Sequence, residues 1–283
     1  MTSLNPLLSE IEQYLSLNIV TTERVPGGDI CQAYKLKSSN GDSFFMKYHS
    51  GDIAKQMFEC EKLSLEKINQ AGFKTPEVIL SSSNFLLLEW IEQSSASYNW
   101  DDFAIALTKL HTSRYTKYGF ELDGYIGLLK QSNTWKNNFF DFYLDNRIEP
   151  LINDAFQNSQ LSKTDIKHFD AIVSRIENLI PIEDAVLIHG DLWSGNFCFS
   201  NEGYAYLFDA SSSFNHRGFD LAMMKLFGGF PDYVFDKYEE VLPVNKTLWS
   251  VLELFMLYYL LIHLRLFGSS YYSSVSKILK DYA

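Results

Sequence analysis

Residues 186–209 read V-L-I-H-G-D-L-W-S-G-N-F-C-F-S-N-E-G-Y-A-Y-L-F-D. The apolar run 186–188 has the character of a short buried strand. His189, Gly190 and Asp191 follow it, and Asn196 stands five residues after Asp191. Two further β-type runs, 197–199 and 204–208, flank the turn Asn201-Glu202-Gly203 and end at Asp209. Phosphoryl transfer to a hydroxyl needs this arrangement. One carboxylate, Asp191, takes the hydroxyl proton, while a carboxamide, Asn196, and a second carboxylate, Asp209, hold Mg²⁺ against nucleotide phosphates. The spacing D-x-x-x-x-N, followed after a hairpin by a metal-binding Asp, is the kinase pattern. A turn Asp, an Asn in a left-handed loop and an Asp at a strand end would each be ordinary. Together, in a strand–loop–hairpin context, they predict chemistry.

Upstream, the chain reads as β from residue 19 to residue 48, in runs 19–25, 31–36 and 44–48. Gly27 and Gly28 lie between the first two runs, where backbone amides can approach phosphates; a plain hairpin turn is the alternative. Lys47 ends the third run. In the helix that follows, Ala54, Met57, Phe58, Leu65 and Ile68 share one stripe, with Glu61 in its middle and Glu59 and Glu66 off it. A carboxylate on a buried face needs a partner, and Lys47 is the expected one. Such a pair orients nucleotide phosphates in kinases. Strands at 77–80 and 85–90 follow. The connector 89–93 then offers backbone groups, at Glu89 and Ile91, to an adenine. The polar run 93–99 marks a boundary, which divides the chain into a β-rich unit, 1–92, and a unit of residues 93–283.

The second unit is mainly helical. Periodicity predicts helices over 103–111, 134–158 (interrupted near Pro150), 164–180, 219–227, 232–241, 248–267 and 270–281. An N-terminal helix opens at Asn5-Pro6. The fold class is therefore α+β and bilobal, with the chemistry in a hairpin inside the helical lobe. His111 reads as a packing or capping histidine.

Composition narrows the partners. Hydrophobic residues make up 46% and charged residues 21% of 283, which is a globular composition. The net charge of −11 argues against nucleic acid or an anionic membrane as the main partner. Cys31, Cys60 and Cys198 lack metal-ligand spacing and suit reduced thiols in a cytoplasmic protein. Cys31, beside the glycine pair, is the thiol that neighbouring amides could make oxidisable. The stretch 251–267 is very apolar, but it carries Glu253, His263 and Arg265 and falls short of a membrane span.

The sequence resembles the fructosamine/ketosamine kinases, relatives of the aminoglycoside phosphotransferases with a protein-kinase-like fold. The resemblance runs along nearly the whole chain. H-G-D-L-W-S-G-N at 189–196 carries it most specifically, because the wider superfamily shares only the His-Gly-Asp and Asn positions. Gly27-Gly28-Asp29-Ile30, Phe45-Met46-Lys47, Phe58 with Glu61, Gln131, Asn133, Trp135, Arg147 and Asp220-Leu221-Ala222-Met223 add to it. The resemblance implies ATP-dependent, Mg²⁺-assisted phosphorylation of the sugar 3-hydroxyl of ketosamines, either glycated small molecules or glycated protein lysines. The phosphorylated adduct then falls apart and frees the amine. It implies Asp191 as proton acceptor, Asn196 and Asp209 as Mg²⁺ ligands, and Lys47 with Glu61 on the phosphates. It puts Trp193, His216 and Arg217 beside the sugar, the alternatives being a packed ring for Trp193 and a structural pairing of His216 and Arg217 with Asp220; the protein is expected to be a monomer or weak homodimer. The chain departs from the family at Asp209-Ala210-Ser211, where Asp-Pro-Ala is usual, and at Asn215-His216-Arg217-Gly218, where Gly-His-Arg-Glu is usual. Two rival readings remain: a kinase for another small-molecule hydroxyl, such as an aminoglycoside or choline, and a catalytically silent module that keeps the fold.

Overall fold

A computed structural model describes residues 4–26, 30–94 and 98–283. Helix α1 (Asn5–Leu15) carries Pro6 in its first turn, where a missing amide costs nothing. Strands β1 (Ile19–Val25), β2 (Gln32–Ser38) and β3 (Ser43–Tyr48) form an antiparallel meander. Helix α2 (Ala54–Gln70) crosses from it to β4 (Val78–Ser81) and β5 (Phe85–Glu89), which complete a five-stranded sheet in the order β1-β2-β3-β5-β4. Strand alternation divides the sheet's residues cleanly. Phe44, Met46, Phe85 and Leu87 pack with Leu36 and with Ile11 of α1 on the outer face. Phe45, Leu86 and Leu88 face the other way, into the main core, and Lys47, paired across the ladder with Leu86, shares their face.

Helix α3 (Trp100–Leu110), capped by the Asn99 side chain, opens the helical part. After the short strands β6 (Arg114–Tyr115), β7 (Gly124–Ile126) and β8 (Leu129–Gln131) comes α4 (Phe139–Tyr143). A π turn, Leu144–Ile148, joins it without a gap to α5 (Glu149–Gln157). The sequence predicts an interruption at Pro150, but the helix runs on. The Asn146 carbonyl, which a residue with an amide at position 150 would engage, instead accepts from the Arg147 guanidinium at 3.1 Å. Helices α6 (Lys163–Val173) and α7 (Ile176–Leu179) replace the single helix expected over 164–180. Strand β9 (Ala185–Ile188) leads into the catalytic stretch and its hairpin, β10 (Phe197–Phe199) and β11 (Ala205–Leu207). Strand β12 (Ser213–Asn215) then returns beside β9.

The chain closes with α8 (Gly218–Phe227), α9 (Asp232–Val241), α10 (Lys246–Ser250), α11 (Leu252–Phe267) and α12 (Tyr272–Asp281). The helix expected over 248–267 is broken at Val251, whose ψ of 14° leaves the helical region. Helix α11 is buried nearly all round, which explains its apolar sequence. Among the described residues, no helix is long and apolar enough to cross a membrane. The main core is continuous from the inner face of α2 to α11, so the β-rich part is seated on the helical part. The connector after β5 is fastened to the hairpin: the Ser94 amide donates to the Phe199 carbonyl (2.8 Å) and the Asn201 amide to the Glu92 carbonyl (3.1 Å).

Candidate active site

Strand β9 leads directly into His189 and Asp191. The loop after it is held by its own side chains. Asn196 Nδ2 donates to the Asp191 carbonyl (2.8 Å) and to Asp191 Oδ2 (3.0 Å). The Asp191 amide donates to His189 Nδ1 (3.2 Å), which fixes the tautomer, so His189 Nε2–H donates to the Phe208 carbonyl (3.0 Å). The Phe208 amide donates to the Asn196 carbonyl (3.1 Å) and the Ser211 amide to the His189 carbonyl (3.0 Å). These bonds tie residues 189–196 to both sides of Asp209. Asp209 itself has a φ of +58°, in the left-handed region that costs a β-carbon residue about 1 kcal/mol or more. The surrounding bonds hold it there, with its carboxylate against Lys47.

Lys47 joins the two lobes. Its Nζ donates to Glu61 Oε2 and to Asp209 Oδ1, both at 2.7 Å. Glu61 is buried and meets Lys47, whereas Glu59 is solvent-exposed and lies 3.9 Å from Lys55. Burial alone would push the Lys47 ammonium down, but the carboxylates of Asp209 and Glu61 outweigh it and keep the amine charged. Burial pushes the Glu61 carboxyl up, against the pull of Lys47. Partial burial would raise the Asp209 carboxyl, but its side chain is 56% exposed and the Lys47 ammonium holds it below the usual carboxylate range. Asp191 has no such cation in contact. Burial first, and then the Asp209 carboxylate, push it up to about 8, partly offset by the Asn196 amide.

The donor set fits a hard divalent cation. Lys47 takes one oxygen of Asp209, and the Asn196 amide nitrogen is turned to Asp191. One carboxylate oxygen and one carboxamide oxygen are thereby left to coordinate. Mg²⁺ is characteristically held by such a small oxygen set together with substrate phosphates.

The residue that carries this loop from below is one the sequence offered only as a structural partner of His216 and Arg217, which pair elsewhere. Asp220, fully buried in α8, accepts the His189 amide (2.7 Å) and the Gly190 amide (2.8 Å), and it lies 3.2 Å from His111 Nε2. Burial pushes its carboxyl up, but the hydrogen bonds outweigh it and hold it below the usual range. Arg217 can only donate to Tyr238 Oη (3.4 Å), so Tyr238 donates to His111 Nδ1 (2.8 Å) and His111 Nε2–H to Asp220. His111 is thus the packing residue the sequence suggests. The signal for Asp220 was present: a carboxylate among Phe219, Leu221, Ala222 and Met223, the same pattern that singles out Glu61. Tyr259 of α11 completes the support, donating to the Gly190 carbonyl at 2.9 Å.

The expected sugar-side residues separate. Trp193 is 40% exposed on the loop, with its ring folded over Gly195. A β-carbon at 195 would come within 2.3 Å of the indole, so the glycine makes room for it. His216 and Arg217 require a correction, because the structure places both in the supporting core. His216 is fully buried, accepts the Gly218 amide on Nδ1 (2.9 Å), and so donates from Nε2 to the Pro181 carbonyl (3.1 Å). Arg217 makes five hydrogen bonds: two to Glu183 at 2.7 Å, and one each to Tyr238, the Leu242 carbonyl and the Pro243 carbonyl. That accounts for its five N–H donors and leaves none for a sugar. The departure at Gly218 lies in the same core, where a β-carbon would meet Phe255 at 2.8 Å. Ser211, the other departure, donates to Gln131 Oε1 at 2.8 Å.

Arg217→Ala is therefore expected to act on stability. Breaking a buried bidentate pair costs about 3–5 kcal/mol. The denaturation midpoint should fall while KM for the acceptor stays near wild type. Although burial opposes it, the Arg217 pair holds the Glu183 carboxyl below its ordinary value. The pair's contribution is thus present above the unfolded carboxyl pKa and is lost as pH falls through the folded one.

On the nucleotide side, Gly27 and Gly28 lie outside the described residues. Glu89 ends β5, where its amide donates to the Glu77 carbonyl (2.9 Å), and Ile91 is half-buried in the connector. Of the two readings of Cys31, an oxidisable thiol or a small residue tolerated in a hairpin, its surroundings favour the second. Its thiol is half-buried, contacts Met57 Sδ at 3.7 Å, and burial pushes it up to about 11, opposite to what an oxidisable thiolate needs.

A two-part fold with a lysine–glutamate pair in the sheet part and an Asp–Asn–Asp set below it defines a phosphotransferase of the protein-kinase-like class. The sequence comparisons narrow this. Residues 4–283 match the fructosamine kinase family model, and the chain belongs to that family. A probable ketoamine kinase of Enterococcus faecium is 33% identical over 91% of this chain and 94% of its own length. A chloroplastic protein-ribulosamine 3-kinase of Oryza sativa subsp. indica is 31% identical over 93% of this chain and 79% of its own. A Thermobifida fusca crystal structure provisionally called a fructosamine-3-kinase superposes with a TM-score of 0.91 at 26% identity, covering 99% of each chain.

Proposed function

We propose that this protein transfers the γ-phosphoryl group of ATP to the sugar 3-hydroxyl of ketosamines, with residues 1–92 and 93–283 as the lobes on either side of the nucleotide. The observation that carries the reading is the assembled set: Lys47 bridging Glu61 and Asp209 at 2.7 Å, beside Asp191 bonded to Asn196. A silent module of this fold would not need all five. Asp191 accepts the proton of the 3-hydroxyl as its oxygen bonds to the γ-phosphorus. The bond from that phosphorus to the β–γ bridging oxygen breaks, and ADP leaves. Lys47, held straight by Glu61, orients the phosphates. Asn196 and Asp209 would hold Mg²⁺, which supplies charge neutralisation along the phosphates when bound. Gly27 and Gly28 are assigned to the phosphates, the backbone at Glu89 and Ile91 to the adenine, and Trp193 to the sugar. The phosphorylated adduct then decomposes and frees the amine, so glycated small molecules or protein lysines are the substrate class.

The test is an acceptor panel at saturating Mg·ATP. Fructosamine- and ribulosamine-type adducts are expected to take up phosphate, whereas free amines and aminoglycosides are not. Transfer to an aminoglycoside in preference to every ketosamine would overturn this assignment and favour the antibiotic-kinase reading.

A further inference from the structure

Four aromatic side chains gather at the ends of α8 and α11, outside the catalytic set. Phe227, Phe267 and Tyr271 surround the His263 ring, with centroid distances of 4.8, 5.3 and 5.1 Å. Phe227 and Phe267 are 38% and 50% exposed. Exposed rings gathered in this way commonly mark a binding surface.

Both elements are anchored to the catalytic loop. On α11, Tyr259 bonds the Gly190 carbonyl, and His263 lies one helical turn further on, its Nδ1 2.7 Å from the Tyr259 carbonyl. Three residues beyond, Leu266 closes against Gly127 at the tip of the β7–β8 hairpin, which also lies near Ile30. On the other side, Phe227 is followed by Gly228-Gly229, and Gly229 packs on the side chain of Ser194, next to Trp193. The ring cluster therefore sits at the outer ends of two helices whose other contacts reach the loop that carries Asp191.

We propose that Phe227, His263, Phe267 and Tyr271 form a subsite for the amine-derived part of the acceptor. This rests on the ketosamine reading above. In a ketosamine the nitrogen is a secondary ammonium on C1, two carbons from the 3-hydroxyl, so an acceptor presented to Asp191 directs its nitrogen and substituent outward. Ring faces attract an alkylammonium. A carbonyl oxygen can only accept, so Nδ1 carries the His263 proton and Nε2 offers a lone pair to an ammonium N–H. Burial holds the imidazole below its ordinary pKa, in keeping with that neutral form. The nearest cation on α11, Arg265, is turned away to Asp154 and Gln160. The exposed Phe227 and Phe267 then receive the carbon chain of the amine.

The experiment compares two acceptors with the same ketose, one built on methylamine and one on the side chain of Nα-acetyl-lysine amide. The wild type is expected to favour the lysine adduct through a lower KM. In Phe227→Ala/Phe267→Ala that preference should fall about tenfold, with KM for ATP reporting an intact cleft; the single variant Phe267→Ser serves if the double variant does not fold. An equal preference in wild type and variant, or none in the wild type, overturns the subsite while leaving the kinase assignment standing. Transfer to neither adduct overturns the ketosamine reading and the subsite with it.

Discussion

Asp191→Asn is expected to lower kcat by about 10²–10⁴, the usual contribution of a positioned proton acceptor, while nucleotide binding persists. The substitution keeps the shape of the side chain. An amide oxygen at 191 can still accept from Asn196 Nδ2, which donates to the carboxylate at 3.0 Å. The Lys47–Glu61–Asp209 contacts are made without Asp191. The loss therefore falls on proton transfer. Steady-state turnover with a ketosamine, together with nucleotide titration of the same variant, separates the two effects. Near-normal turnover would show that another group takes the proton, and lost nucleotide affinity would show that the loop had moved.

Asp220→Ala is expected to affect both stability and rate. It strips two buried backbone amides, those of His189 and Gly190, of their acceptor, and removes the partner of His111. An unsatisfied buried donor costs about 1–3 kcal/mol, so the variant should lose roughly 3 kcal/mol or more. The displaced loop carries Asp191, and a shift of about 1 Å at a reacting group can cost 10²-fold in rate. Asp220→Asn, which retains an acceptor oxygen, should recover part of the stability. Urea denaturation with an unchanged m-value, read beside kcat, checks the pair of variants. A stable and active Asp220→Ala protein would mean that Tyr259 and the hairpin bonds hold the loop unaided.

The lower half of the active site is nearly linear in sequence. Asp191, Asn196 and Asp209 lie within nineteen residues joined by a tight hairpin, so local spacing fixes their neighbourhood. Glu61 was legible because a carboxylate on an apolar helix face demands a buried partner, and Lys47 meets it at 2.7 Å. The same test applied to α8 would have found Asp220. The short strands Arg114–Tyr115, Gly124–Ile126, Leu129–Gln131 and Ser213–Asn215 had no such signal, since two or three residues cannot display an alternation. Their pairing comes from the strands and loops they lie against.

His216 and Arg217 show the limit most clearly. Their position soon after Asp209 suggested the sugar pocket, but in the chain between Asp209 and α8 direction matters more than distance along the sequence. Glu183, some thirty residues earlier, supplies the carboxylate that draws Arg217 into the core, and the Pro181 carbonyl takes the His216 ring. Periodicity and short-range spacing, which are local properties of the chain, were enough for the longer elements, the core faces and the common neighbourhood of Asp191, Asn196 and Asp209. Which polar side chains meet at the site, which brace it, and which rings gather around His263 depended on tertiary packing. A buried polar group takes whatever partner the packing brings within 3 Å, and those partners come from distant parts of the chain.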